Sequence, residues 1–300
     1  MNYGSYIIII LKGMCMGVAD VIPGVSGGTI ALLLGIYERF IHSLKSFDLE
    51  LLKMLCKGKF LLAIEKTDAK FLCSLLLGIG LSILFMARII EWLFEHHPTY
   101  IRAFFFGLIM ATVFIIAKFV KQWKTSEYVL FILFSLLTYG FVGQVPFTTP
   151  KTPVLLFLSG FIAISAMILP GISGSYILVL LGKYQQIISA VNDREFFTLG
   201  IFLFGMICGI LVFVRVLSWL FRHFHDKTLA ILTGIVLGSL RKIWPWQEVS
   251  LLNEKISENI LPAHISAGEW ICVISIFLCG FVVASIMNRA ENSGGIKLSD

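Results

Sequence analysis

Near its amino end the chain reads Pro23-Gly24-Val25-Ser26-Gly27-Gly28-Thr29, a break inside a run of apolar residues. The break occurs twice. Residues 12–44 read KGMCMGVADVIPGVSGGTIALLLGIYERFIHSL, and residues 159–191 read SGFIAISAMILPGISGSYILVLLGKYQQIISAV, so that Pro23 pairs with Pro170. A broken helix inside a bilayer frees backbone groups that protein or cavity water must satisfy. Two such breaks in corresponding halves of a chain indicate the binding site of a transporter.

The composition indicates an integral membrane protein. Of the 300 residues, 58% are hydrophobic and only 14% are charged, whereas soluble domains carry roughly 25% charged residues. The net charge of +6 does not indicate a nucleic-acid partner, because the basic residues lie in loops between apolar segments. The six cysteines lack metal-binding spacing and no ATP-binding motif is present, so the sequence indicates no metal or other cofactor.

The apolar runs divide the chain into two similar halves, 1–150 and 151–290, followed by a polar tail at 291–300. Each half is predicted to contain one broken hairpin and three transmembrane helices. The predicted hairpins are 5–41 and 154–191, and the predicted helices are about 71–94, 101–120 and 128–145, then about 197–221, 228–244 and 268–288. Each half crosses the membrane an odd number of times, whether its hairpin is re-entrant or fully spanning. The expected fold is therefore an all-α polytopic membrane protein with an inverted-topology repeat.

The distribution of Lys and Arg predicts the orientation. With the amino end inside, the inner segments 37–70, 118–127, 222–227 and 288–300 together carry fourteen basic residues. The outer segments carry seven. Both termini are therefore predicted to be cytoplasmic.

The breaks are candidate anion sites. Each places free backbone N–H groups and a hydroxyl at the start of a helix, and such ends attract anions. The candidate residues are Gly24, Ser26, Gly27, Gly28 and Thr29 in the first copy and Gly171, Ser173, Gly174 and Ser175 in the second. The alternative is that the glycines only allow helices to cross closely, as small residues do in membrane bundles.

Four charged side chains are further candidates. Arg88 and Arg215 occupy equivalent places in two similar helices, and an intramembrane Arg is a functional-site hypothesis by default. Both could instead extend to the headgroups and anchor their helices. Asp20 and Glu38 lack acidic counterparts in the second half, which makes them candidates for proton coupling. The alternative role for Asp20 is a helix cap or a partner for a nearby cation.

The paired elements VADVIPGVSGGTIALLLGIYE and ISAMILPGISGSYILVLLGKY resemble those of the bacterial PopT-type polyprenyl-phosphate transporters. The resemblance covers nearly the whole chain. It implies that the partner is a lipid, undecaprenyl phosphate, and that the protein lies in the bacterial cytoplasmic membrane. It also implies a transporter that returns this lipid carrier from the outer to the inner leaflet.

Two other functions fit parts of the pattern. A small-anion channel or carrier could also use two facing helix breaks. An intramembrane serine protease could use Gly-x-Ser-Gly, but its serine needs a base within hydrogen-bond reach, and no histidine lies inside an apolar run. The sequence therefore favours a transporter over an enzyme. It gives no indication of the oligomeric state.

Overall fold

A computed structural model describes residues 3–22, 25–144, 146–147, 149–150, 152–250, 253–262 and 266–293. The first half contains eight helices: α1 (Tyr3–Val21), α2 (Gly27–Leu33), α3 (Tyr37–Lys45), α4 (Leu49–Cys56), α5 (Phe60–Lys66), α6 (Ala69–His96), α7 (Pro98–Ala117) and α8 (Thr125–Phe141). Two predictions lie outside the described residues, the role of Gly24 and the polar tail from residue 294 onward.

The second half repeats this order without counterparts of α4 and α5, and it adds a β-hairpin. Its helices are α9 (Pro153–Ile168), α10 (Gly174–Leu180), α11 (Tyr184–Asn192), α12 (Phe196–His223), α13 (His225–Ser239) and α14 (Ala267–Ser293). A 3-10 turn over Leu240–Ile243 follows α13, so the helix predicted over 228–244 ends five residues early. The antiparallel strands β1 (Gln247–Ser250) and β2 (Asn253–Asn259) then precede α14.

Among the described residues, four helices are long and apolar enough to cross a membrane, so the chain is a multi-pass membrane protein. These segments are Ala69–His96, Pro98–Ala117, Phe196–His223 and Ala267–Arg289. Two shorter apolar helices, Thr125–Phe141 and Pro153–Ile168, accompany them. Many large apolar side chains on these helices are exposed, as expected for surfaces that face lipid tails.

The two broken hairpins have the same construction. Helices α2 and α10 are seven residues long, and α3 and α11 are nine residues long. The turns that join them contain Gly35 and Gly182, which share a left-handed φ of 64°. Because L side chains rarely adopt this conformation, glycine is needed at both turns. The sequence repeat is therefore also a repeat of local backbone structure.

Helix pairing follows the repeat and crosses between the halves. Helix α1 packs against α6, and α9 packs against α12 in the same way. In contrast, α7 packs against α14 of the second half, while α13 packs against α8 of the first. The halves therefore exchange their last helices and are not separately packed units. The inverted orientation of the halves in the membrane stays a prediction.

Glycines set the closest helix crossings. A Cβ added at Gly78 of α6 would lie 2.1 Å from the carbonyl oxygen of Ile10 in α1. A Cβ at Gly205 of α12 would lie 2.1 Å from the carbonyl oxygen of Phe157 in α9. Small residues that let backbones approach are the usual basis of packing in membrane bundles. The repeated glycines outside the breaks thus serve packing.

Replacing Gly78 with Ala should destabilise the protein, because the added methyl group would overlap the α1 backbone. Overpacking of this kind typically costs about 1–3 kcal/mol. Gly80→Ala in the same helix is the matched control, since a Cβ there meets nothing within 4 Å. Thermal unfolding in detergent micelles should show a lower midpoint for Gly78→Ala only. Equal midpoints for the two variants would contradict this packing role.

Candidate functional site

The two breaks lie against each other, as an anion site shared between the halves requires. The backbone N–H of Gly171 donates to Thr29 Oγ1 at 2.8 Å. The hydroxyl of Tyr37 donates to the carbonyl oxygen of Ile168 at 3.0 Å, and that of Ser26 to the carbonyl oxygen of Leu169 at 3.4 Å. The breaks therefore form one connected centre.

The first break is buried and its backbone donors are already satisfied. Residues 25–34 are all buried. The N–H of Gly27 donates to Asp20 Oδ1 at 2.7 Å, and the N–H of Gly28 donates to Ser26 Oγ at 3.2 Å. Asp20 therefore caps α2, and its role in proton coupling stays a prediction. A second anion is not favoured where a carboxylate already occupies the end of α2.

The second break is open to the surface. Ser173 is half-buried and Ser175 is exposed, and their hydroxyl oxygens lie 2.8 Å apart. Ser173 makes no capping bond to the backbone, unlike its counterpart Ser26. Gly174 is buried because α10 approaches α9 closely there, and Gly171 adopts a φ of 87°. The two half-sites predicted from the sequence therefore differ in accessibility.

A basic cluster that sequence reasoning missed lies beside this open break. It consists of Arg102 in α7 and of Arg241 and Lys242 in the 3-10 turn, and we call it the Arg241 cluster. Lys242 Nζ lies 5.1 Å from the centre of the ring of Tyr176, the residue that follows Ser175 in the sequence. The charges of Arg102 and Arg241 both act on Lys242, and that of Arg241 acts on Tyr176. The sequence signal is the Arg-Lys pair at the end of an apolar run. In the orientation argument this pair contributes only to the number of outer basic residues.

Arg241 is held in a defined position by α8 and β2. Its Nη1 donates to the carbonyl oxygen of Tyr139 at 2.9 Å, and its guanidinium lies 4.6 Å from the centre of the Tyr139 ring. The side chain of Asn259 donates to the carbonyl oxygen of Arg241 at 2.7 Å. These contacts leave most guanidinium N–H groups available to an anion.

Arg215 of α12 belongs to a second basic cluster, which lies near the start of α13. The Arg241 cluster, in contrast, lies at the end of α13. This Arg215 cluster consists of Arg215, Arg222 and Lys45. Arg215 donates to the carbonyl oxygens of Leu211 and Phe47. Burial, followed by the charges of Arg222 and Arg215, lowers the pKa of Lys45. The cluster therefore gathers positive charge where α3 meets α12.

Arg88, the counterpart of Arg215, has no comparable surroundings. Its side chain is exposed on α6, and no hydrogen bond or ion pair joins it to the part of the chain that the structure describes. This environment agrees with the anchoring alternative. The symmetric role predicted for the two arginines is therefore not visible in their contacts.

Glu38 takes part in the contact of α3 with the end of α12 and the start of α13. Its Oε1 lies 3.1 Å from Nε2 of His225. Beside it, the Tyr37 ring packs edge-on to Phe221 at 6.1 Å, and Lys45 Nζ donates to Ser218 Oγ at 3.0 Å. We call these three contacts, which include His225 at the start of α13, the α3–α12 seam. The equivalent helices α11 and α6 make no comparable contact, so the structure is asymmetric.

The contacts of the break serines do not resemble those of a protease. Ser26 bonds to backbone groups, and Ser173 bonds to Ser175. Neither serine has a histidine or carboxylate partner among these contacts. Within the described ranges, no group of three or more His, Cys, Asp or Glu residues could hold a metal ion.

Comparison with known proteins agrees with the repeated motifs. A family model described as undecaprenyl phosphate translocase-like matches residues 16–261. The chain belongs to this undecaprenyl phosphate translocase-like family. The resemblance seen in the sequence is thereby confirmed.

Two curated relatives of the chain carry the name polyprenyl-phosphate transporter. The one from Vibrio cholerae is 43% identical over 244 residues, which cover 81% of this chain and 79% of the relative. The one from Staphylococcus aureus is 30% identical over 306 residues, which cover 95% and 98%. No solved structure matches the chain.

The part that matches the undecaprenyl phosphate translocase-like family contains the features described above. It includes both breaks, the Arg241 cluster, the Arg215 cluster and the α3–α12 seam. Helix α14 lies beyond the matched residues. The candidate site is therefore located within the family region.

Proposed function

We propose that this protein is a transporter that returns undecaprenyl phosphate from the outer to the inner leaflet of the bacterial cytoplasmic membrane. The observation that carries this proposal is the position of the Arg241 cluster beside the open hydroxyls of Ser173 and Ser175. The names of the two relatives support the substrate class. With both termini cytoplasmic, this open side faces outward.

The chemistry of the Arg241 cluster suits a lipid phosphate. Arginine presents planar donors that bind phosphate bidentately, and lysine adds a compact charge. Helix α13 is 15 residues long, which corresponds to roughly 22 Å, less than the roughly 30 Å hydrocarbon core. Arg241 and Lys242 therefore lie at a depth where cations are costly unless they serve a function.

The asymmetry of the hairpins supports alternating access. In this state the α3–α12 seam is closed and the second break is open. Movement of the two hairpins relative to the helices around them would separate α3 from α12 and bring α11 towards α6. The phosphate could then pass from the Arg241 cluster, beyond the connected breaks, to the Arg215 cluster. Most of the isoprenoid chain remains in lipid throughout.

Inward movement of the lipid phosphate requires a driving force. The inside-negative potential opposes it by roughly 2.3 kcal/mol per charge per 100 mV. Protons that move with the substrate would offset this cost. Asp20 is the candidate carrier because it is the acid in contact with the breaks. Glu38 is assigned to the α3–α12 seam, where it pairs with His225.

The proposal is tested in reconstituted vesicles that contain undecaprenyl phosphate. The amount in each leaflet is measured over time, with protein-free vesicles as the control. We expect protein-dependent exchange between leaflets, and net inward movement when a pH gradient is imposed. Flux of chloride or inorganic phosphate without movement of the lipid would instead identify a small-anion channel or carrier.

Asp20→Asn should slow inward transport and weaken its response to a pH gradient. The Asn side chain keeps an oxygen that can accept from Gly27 N–H, so the variant removes charge while it preserves the cap. Ser26→Ala is the comparison, because it removes the other capping bond and the bond from Ser26 to Leu169 without altering charge, so it should not change the response to the pH gradient. Transport by Asp20→Asn that matches the wild type, with the gradient response intact, would restrict Asp20 to capping.

A further inference from the structure

A cavity of about 550 Å³ lies beside the Arg241 cluster. Its walls come from α7, α8, the end of α13 with its 3-10 turn, and the end of β2. Most of the lining side chains are apolar, among them Phe106, Leu136, Leu237, Trp244 and Leu261. Cavities of this size and composition, with a few placed polar groups, are typical of small-molecule sites.

The cavity combines one charged side chain, Arg241, with apolar residues that are exposed at the surface. Arg241 lines it together with Tyr139, whose ring and carbonyl oxygen hold the guanidinium. Two of the other lining residues are largely exposed apolar side chains, Leu136 at 66% and Leu261 at 84%. A ligand with an anionic head and an apolar chain matches this distribution of charge.

The walls are held in place by specific contacts. The indole N–H of Trp244 donates to the carbonyl oxygen of Ile260 at 3.0 Å, and the N–H of Ile260 donates to the carbonyl oxygen of Trp246 at 3.1 Å. Phe106 packs edge-on against Trp244 at 5.7 Å. A preformed cavity loses less conformational freedom when a ligand binds.

We propose that this cavity binds the isoprene units next to the phosphate of the transported lipid. This inference rests on the proposed function and adds the part of the substrate that distinguishes polyprenyl from other lipid phosphates. Flat double bonds and methyl branches can pack against the rings of Phe106, Tyr139 and Trp244, whereas a saturated straight chain fills such a space less well. The cavity therefore selects the chain, and the Arg241 cluster selects the head.

The test compares binding of farnesyl phosphate and dodecyl phosphate to the purified protein in lipid nanodiscs. Both have a phosphate head, but only the first has isoprene units. We expect the wild type to prefer farnesyl phosphate. Leu136→Trp, which fills the cavity from α8, should weaken farnesyl phosphate binding by about ten-fold. The matched control is Leu137→Trp, one residue along α8, exposed and not part of the cavity wall.

The outcomes separate this inference from the proposed function. If the wild type binds the two ligands equally, or if Leu136→Trp binds farnesyl phosphate as tightly as Leu137→Trp does, the cavity is not a chain site. The proposed function would survive either result. If the wild type binds neither ligand, both the proposed function and the chain site are overturned.

Discussion

Arg241→Ala is expected to reduce transport of undecaprenyl phosphate by about ten- to a hundred-fold, the effect of losing a charge-assisted contact worth about 1.5–3 kcal/mol. Lys242→Ala should reduce transport in the same direction, because it removes a second cation from beside Tyr176. The loss should appear mainly as a higher lipid concentration for half-maximal rate, since the cluster is proposed to bind the head. Transport is measured in vesicles that contain matched amounts of inserted protein.

Two further variants show whether the effect comes from phosphate binding. Arg241→Lys should recover only part of the activity, because the bidentate fork is lost while the charge remains. Arg289→Ala, at an exposed position near the end of α14, removes the same charge away from the site and should transport normally. If Arg241→Ala and Lys242→Ala both transport like Arg289→Ala, the Arg241 cluster does not bind the substrate.

Locking the α3–α12 seam should reduce transport to the level of protein-free vesicles. Lys45 and Ser218, whose side chains are hydrogen-bonded, would both be replaced with Cys in a chain whose six native cysteines have been replaced. A short thiol-specific cross-linker with a reducible centre then joins α3 to α12. Since the proposed path of the phosphate passes this contact, the linked protein should be inactive, and a reductant should restore it.

The controls for this experiment are the two single-cysteine variants treated with the same reagent. Because Lys45→Cys also removes a cation of the Arg215 cluster, the reference rate is that of the unlinked double variant, and modification of either single variant without a link should not lower its own rate further. If the linked protein transports at the rate of the unlinked double variant, then α3 does not separate from α12 and alternating access at this seam is wrong. Leaflet-resolved undecaprenyl phosphate is the readout in both cases.

The sequence predicted the parts of the fold that depend on local residues. Pro and Gly predict the two breaks from local sequence alone. Long apolar runs predict α6, α7, α12 and α14 in the same way. The exchange of last helices between halves was not predictable, because it depends on contacts between segments far apart in sequence. The β-hairpin was also missed, since its short strands lie in a polar stretch without a clear alternating pattern.

The candidate site was predictable only in outline. The motifs located the breaks, but not that Asp20 and Ser26 satisfy the donors of the first one. The proposed role of Arg241 and Lys242 depends on the end of α13 at Ser239, because the following turn brings Lys242 to Tyr176. Such a position depends on tertiary contacts, so no spacing in the sequence could reveal it.

The paired helices α8 and α13 have a consequence for the surrounding bilayer. Helix α8 is 17 residues long, or roughly 26 Å, whereas the hydrocarbon core is roughly 30 Å thick. A hydrophobic segment that is too short is accommodated by local thinning of the membrane. Leu136 and Tyr139, at the rim of the cavity, lie on this helix. If α8 spans the membrane, we expect the lipids next to that rim to be compressed, so that a phosphate entering there would have a thinner hydrocarbon layer to cross than elsewhere in the membrane.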